Sequence, residues 1–240
     1  MVFLTFGRLR HWGPLEQGLL LLSLASSVAY FATRAAQPFP GSVVLKALGM
    51  APLAVLALRT LERGERVGTG RRDGPLLAGA LALSCAGDVL LHLGFRRYFG
   101  LALGAFFLAH VAYIALFVRS WPRPLRPRRL DVLLVAAVLC YSVAVTAWLS
   151  THLGGYALPV IAYGVAITAM TTAAILARFS TPLVWVGALL FMLSDSLIAA
   201  GRFRTALPLA AYLIWPTYYL GQYAIAIGFL REKVGERSGP

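Results

Sequence analysis

The 240-residue sequence predicts an all-α, polytopic integral membrane protein, a single transmembrane domain (residues 1–240) of about eight helices with both termini in the cytoplasm. Three observations lead there. Hydrophobic residues make up 59% of the chain, against roughly 45–50% in a soluble domain, and the mean hydropathy is +0.75. They gather in runs near the roughly 20 residues that a helix needs to cross a bilayer. The 22 Lys and Arg residues fall almost entirely between those runs. A net charge of +13 then reads as loops flanking membrane spans, not as a nucleic-acid surface.

In chain order the spans fall near 16–33, 43–58, 75–93, 100–118, 131–149, 156–177, 183–200 and 207–230. The first follows Arg8 and Arg10 as a signal peptide would, but no cleavage site follows it, and keeping it as a span gives a consistent charge pattern. The second is short and contains Lys46. The connections are brief, rich in Pro, Gly and Arg, and none is long enough to separate two soluble domains. Numbered alternately, the segments on one side carry sixteen basic residues: Arg8, Arg10, the Arg59–Arg72 and Arg119–Arg129 groups, Arg178, Arg231, Lys233 and Arg237. The other side carries five: Arg34, Arg96, Arg97, Arg202 and Arg204. The excess of positive charge places the first set, with both termini, inside. Twenty arginines against two lysines point to a GC-rich bacterial source and hence to an inner (cytoplasmic) membrane. Cys85 and Cys140 fall in apolar runs and read as small core residues, not as a disulfide.

Charged groups inside spans are costly and become functional candidates by default. Glu16 opens a helix within reach of water, and Asp131 opens another where its charge suits the helix dipole. Asp88 and Asp195 differ: each lies well inside its span, five residues before the outer end, roughly 7–8 Å deep at 1.5 Å per residue. Lys46, His110, Tyr113, Tyr163, Tyr218, Tyr219 and Gln222 occupy the outer half to the midplane of their spans, as if lining one cavity. Pro52, Pro159 and Pro216, each within a span, remove backbone donors and support a cavity that satisfies the freed carbonyls. An offset of 107 residues lays Gly87-Asp88 on Ser194-Asp195, Gly94 on Gly201 and Arg97 on Arg204, the mark of a parallel four-helix repeat with its axis along the membrane normal.

At these residues the sequence resembles the YhhN family of membrane proteins, which includes the lysoplasmalogenases. The resemblance runs from about residue 40 to 230. It rests on Lys46; Gly87-Asp88; Phe99-Gly100 through Phe106, His110 and Tyr113; Tyr163 with Met170; and Gly187-Ala-Leu-Leu-Phe191 through Ser194-Asp195 to Phe203, Tyr218-Tyr219 and Gln222. Where the family usually has proline after the lysine, this chain has Ala47. The resemblance implies an eight-helix hydrolase that cleaves the vinyl ether bond of lysoplasmalogens to a fatty aldehyde and a glycerophospho-alcohol. Ser194 joins the candidate site on the same ground.

Vinyl ether hydrolysis suits a carboxylate pair. The reaction needs a proton donor for the terminal alkene carbon and a base for water, and two buried carboxyl groups divide such roles elsewhere. Asp88 and Asp195 are the expected pair, with their titration shared between them. Lys46 would take the substrate phosphate, the tyrosines would donate to the ether oxygen or the diol, and His110 would relay protons. The four histidines (His11, His92, His110 and His152) show no zinc-ligand spacing, and no nucleotide loop, Gly-x-Ser-x-Gly elbow or redox motif appears. No metal or cofactor is expected; the expected partners are the lysophospholipid substrate and membrane lipids. Two other readings stay open: an intramembrane protease with paired aspartates, and a proton-coupled transporter or lipid-binding protein using the same two residues.

Overall fold

The computed structural model describes residues 12–65, 73–205 and 207–235. Arg8, Arg10, His11, Arg66, Arg71, Arg72 and Arg237, which enter the charge count or the histidine inventory, lie outside them. The described residues form eight long helices: α1 (Pro14–Ala32), α2 (Ser42–Glu65), α3 (Asp73–Gly94), α4 (Phe99–Arg119), α5 (Arg129–Ser150), α6 (Ala157–Ala177), α7 (Leu183–Phe203) and α8 (Ala210–Gly235). Single 3-10 turns (Arg34–Ala36 and Gly154–Tyr156) sit in two of the connections. Among the described residues, seven helices are long and apolar enough to cross a membrane. The remaining one, α8, carries Pro216, Thr217, Tyr218, Tyr219 and Gln222 along its 26 residues and packs lengthwise on α7. The chain is a polytopic membrane bundle.

Its outer surface is apolar: Leu133, Val143, Leu158 and Val165 are each more than 60% exposed, as expected where lipid replaces water as solvent. α5 is the most peripheral helix, burying Asp131, Val138 and Leu149 and packing on α6 and α7. The interior follows a two-fold plan. α3 lies between α2 and α4, α7 packs between α6 and α8, and the halves join where α4 meets α6 and α8 meets α2. Exchanging the halves exchanges those last two contacts, as a parallel repeat requires.

Glycines set the closest approaches. A Cβ on Gly187 would stand 2.6 Å from the Gly221 carbonyl oxygen, and one on Gly221 would stand 2.8 Å from that of Gly187. The α7 and α8 backbones therefore touch directly, the small-residue packing that membrane helices use.

Several sequence expectations change on folding. The second span is not short: α2 runs to Glu65, with a membrane-length stretch at Ser42–Leu61, so Arg59 and Arg63 extend the helix instead of opening a loop. Glu16 does not reach water; it is 3% exposed, with its carboxylate 3.9 Å from Arg59 Nε. Asp131 does cap its helix, accepting the Arg128 backbone N–H at 2.8 Å. Cys140 lies on the exposed face of α5 instead of in the core. Pro159 is the third residue of α6, where the missing N–H has no intrahelical partner to lose. Pro52 and Pro216 do lie inside their helices, which run on through them. Hydroxyls and a thiol serve the carbonyls around them. Ser23 Oγ donates to Gly49 O at 2.6 Å and Cys85 Sγ to Ala47 O at 3.7 Å near Pro52. Thr217 Oγ1 donates to Leu213 O at 2.6 Å and Ser194 Oγ to Ile214 O at 3.1 Å near Pro216.

Candidate active site

The loops joining α1 to α2, α3 to α4, α5 to α6 and α7 to α8 gather at one end of the bundle, the end with five basic residues. Both carboxylates lie beneath it. Asp88, six residues before the end of α3, is 4% exposed, and one of its oxygens lies 3.2 Å from Lys46 Nζ near the start of α2. The Lys46 ammonium also faces the rings of Tyr30 (5.7 Å) and Trp215 (5.5 Å), contacts that favour a desolvated cation. The Tyr218 hydroxyl on α8 adjoins Asp88 without completing hydrogen-bond geometry, so it and Asp88 Oδ2 are buried polar atoms with unused capacity.

Asp195 on α7 has a different shell. The Tyr163 hydroxyl on α6 donates to Asp195 Oδ2. His110 Nε2 on α4 lies 2.9 Å from that hydroxyl and 3.6 Å from the carboxylate. The histidine is fully buried, its Nδ1 set 3.3 Å from Met170 Sδ and its ring against Phe191.

The two shells correspond in the order of the helices that build them. Each aspartate stands on the third helix of its half. Each receives one partner from the second helix of its own half, Lys46 or Tyr163, and one from the fourth helix of the other, Tyr218 or His110. The scaffold is two-fold while the chemistry is not, since an ammonium in one shell corresponds to a phenol in the other.

Two adjoining cavities receive these groups. One, of about 420 Å³, is lined by Lys46, Asp88, Arg34, Gln37, His92, Tyr30, Trp215 and Tyr218 among others. The second is a slot of about 90 Å³ between α4, α5, α6 and α7, apolar except for Asp195, Tyr163 and a few hydroxyls. Leu91, Phe106 and Ile198 line both and form the wall between them. Each carboxylate opens on its own cavity, Asp195 on the slot and Asp88 on the larger one.

Of the sequence candidates, Lys46, Asp88, Asp195, Tyr163 and Tyr218 line these cavities, and His110 backs Asp195 from the core. The other four line neither. Tyr113 donates to Gln222 Oε1 at 2.6 Å, and Gln222 Nε2 donates to Ser84 Oγ at 3.1 Å, forming a buried bridge from α4 through α8 to α3. Tyr219 bonds Ser23 Oγ at 2.8 Å, and Ser194 serves the α8 carbonyl near Pro216. Tyr30, Arg34, His92 and Trp215 are not among the candidate site residues read from the sequence, and Phe106 enters only through the family resemblance. Arg34 counts as loop charge and His92 only in the histidine inventory, although its spacing of four residues after Asp88 is a local signal; Tyr30 and Trp215 carry none.

The chain is 34% identical over 221 residues to the lysoplasmalogenase of Mycobacterium bovis, covering 91% of this chain and 81% of that protein. It is 36% identical over 159 residues to lysoplasmalogenase TMEM86B of Homo sapiens, covering 66% and 65% of the two chains. Against the mouse protein of that name, from Mus musculus, it is 34% identical over 158 residues, covering 65% and 64%. No solved structure matches. The YhhN family pattern matches residues 41–229, from the start of α2 nearly to the end of α8 and through both aspartate shells, so this chain belongs to the YhhN family.

Proposed function

We propose that this protein is a lysoplasmalogenase that hydrolyses the vinyl ether bond of lysoplasmalogens within the membrane, using Asp88 and Asp195 as its acid–base pair. The observation that carries the reading is the arrangement of two carboxylates beneath the same end of the bundle, Asp88 buried and Asp195 nearly so, one opening on a roomier polar cavity and the other on an apolar slot. A lysoplasmalogen has the same division, a long alkenyl chain on one side of the ether oxygen and a glycerophospho head on the other. With the chain in the slot, the alkene carbon further from oxygen lies toward Asp195, and the ether carbon lies toward Asp88.

The roles follow from that placement. Asp195 donates its proton to the chain-side alkene carbon, leaving an oxocarbenium ion across the ether carbon and oxygen. Water enters from the polar cavity, loses a proton to Asp88 and bonds to the ether carbon, giving a hemiacetal. The hemiacetal then breaks its bond to the glycerol oxygen. That oxygen takes the proton from Asp88, and the hemiacetal hydroxyl returns one to Asp195. One water is consumed, and both carboxyl groups end as they began. Tyr163 and His110 hold Asp195 in place and connect it to the core, and Lys46 orients Asp88. Proton transfers of this kind contribute about 10²–10⁴-fold in rate, and fixed charge beside the oxocarbenium ion adds to it. The positive-inside rule sets the cavities toward the outer face of a bacterial cytoplasmic membrane.

The test is release of fatty aldehyde from lysoplasmalogen by purified protein in detergent. Asp88→Asn and Asp195→Asn should each abolish turnover while leaving the protein extractable and folded. An active double variant refutes the assignment. Proton-coupled uptake in proteoliposomes without aldehyde release would favour a transporter instead.

A further inference from the structure

Building on the lysoplasmalogenase reading, we infer that Arg34 is the residue that binds the substrate phosphate, at the mouth of the polar cavity. The cavity has two cationic side chains in its lining, Lys46 and Arg34. The first is committed. Its ammonium is matched by Asp88 at 3.2 Å and enclosed by the rings of Tyr30 and Trp215. Drawing it away to a phosphate would leave a buried carboxylate without its counter-charge, an expensive exchange.

Arg34 is differently placed. It lies in the short turn after α1, half-buried at the loop end of the cavity, and no carboxylate pairs with it among the described residues. Its guanidinium is held 3.5 Å from the ring centre of Tyr212, in the first turn of α8. The stacked face leaves the in-plane N–H donors for an acceptor, the geometry by which arginine takes phosphate oxygens two at a time. The turn itself is tied down: Gln37 Nε2 donates to Tyr30 O at 2.7 Å, and Gln37 N to Arg34 O at 3.2 Å. A phosphodiester at Arg34 sets the glycerol between it and Asp88, with the chain pointing past Phe106 into the slot. Arg34 lies before the stretch that matches the family, residues 41–229, so the assignment rests on this chain's own geometry.

The experiment separates head recognition from turnover. Binding of a non-hydrolysable 1-alkyl lysophosphocholine and of the corresponding 1-alkylglycerol, which lacks the phosphate, is measured on full-length protein in phosphate-free, non-ionic detergent. A charge-assisted hydrogen bond is worth about tenfold or more in affinity. Arg34→Ala should therefore weaken the phosphate-bearing ligand at least tenfold and leave the alkylglycerol unchanged, with Arg34→Gln behaving alike and Arg34→Lys recovering part of the loss. Inorganic phosphate should not compete. Equal weakening of both ligands would assign Arg34 a structural role, and no weakening of either would remove it from the site; each result overturns the proposal. Competition by inorganic phosphate that Arg34→Ala abolishes would overturn it in favour of a free-phosphate site. None of these readouts needs catalysis, so they stand apart from a failure to release aldehyde.

Discussion

Gly87→Ala should disable the enzyme with little unfolding, through a ring that never touches a proton. Gly87 precedes Asp88 on α3, and the Phe106 ring of α4 lies directly over it. A Cβ there would stand 2.6, 2.7 and 2.8 Å from Phe106 Cε2, Cδ2 and Cζ, against an ordinary contact of 3.4–4 Å. The ring must move about 1 Å, or α3 must. Phe106 is 4% exposed and held edge-on by Phe191 and Tyr218, with centroids at 6.2 and 5.9 Å, so it cannot simply swing away. Overpacking of this size costs about 1–3 kcal/mol, partly offset by the roughly 1 kcal/mol advantage of Ala over Gly in a helix. Catalysis should suffer more, because Phe106 is part of the wall both cavities share, and a 1 Å misplacement near reacting groups can cost about 10²-fold. kcat/KM for aldehyde release, followed by a coupled NADH-dependent aldehyde reduction, should fall by about that factor while the thermal midpoint in detergent drops by a few degrees. Adding Phe106→Leu should restore part of the loss, since neighbouring changes couple. Gly104→Ala, where an added Cβ meets nothing within 4 Å, serves as the control. A Gly87→Ala enzyme within twofold of the parent would refute the reasoning.

Three further outcomes follow from the same contacts. Lys46→Met strands the Asp88 carboxylate, a loss of about 3–5 kcal/mol for one partner of a buried pair; adding Asp88→Asn should recover the unfolding midpoint but not activity. Tyr163→Phe removes the hydroxyl that Asp195 accepts, so steady-state kinetics should show kcat reduced about ten- to a hundredfold with KM little changed. Gly221→Ala drives a methyl to 2.8 Å from the Gly187 carbonyl oxygen and 2.9 Å from Phe191 N. Backbone cannot yield as a side chain tip can, so thermal unfolding should show a loss of about 1–3 kcal/mol despite the better helix former.

What the sequence by itself determined was the set of spans and the two residues out of place in them. Lipid offers no partner to an exposed backbone group, so each crossing must be a helix, and a helix must be a long apolar run. Asp88 and Asp195 stood out for the same reason. Hydropathy is weakest as a guide for α8, where Tyr219 and Gln222 find their partners on neighbouring helices. Tertiary structure decided which polar group meets which. Lipid is as apolar as a core, so no polar stripe along a membrane helix reveals which face turns inward. Lys46 lies on Asp88, Tyr163 and His110 on Asp195, and Tyr113 on Gln222, 109 positions away. Those choices depend on how each helix is rotated and where glycines such as Gly187 and Gly221 let two backbones meet. The division of one expected cavity into a slot and a chamber, with Phe106 between them, likewise arises only when all the helices are in place.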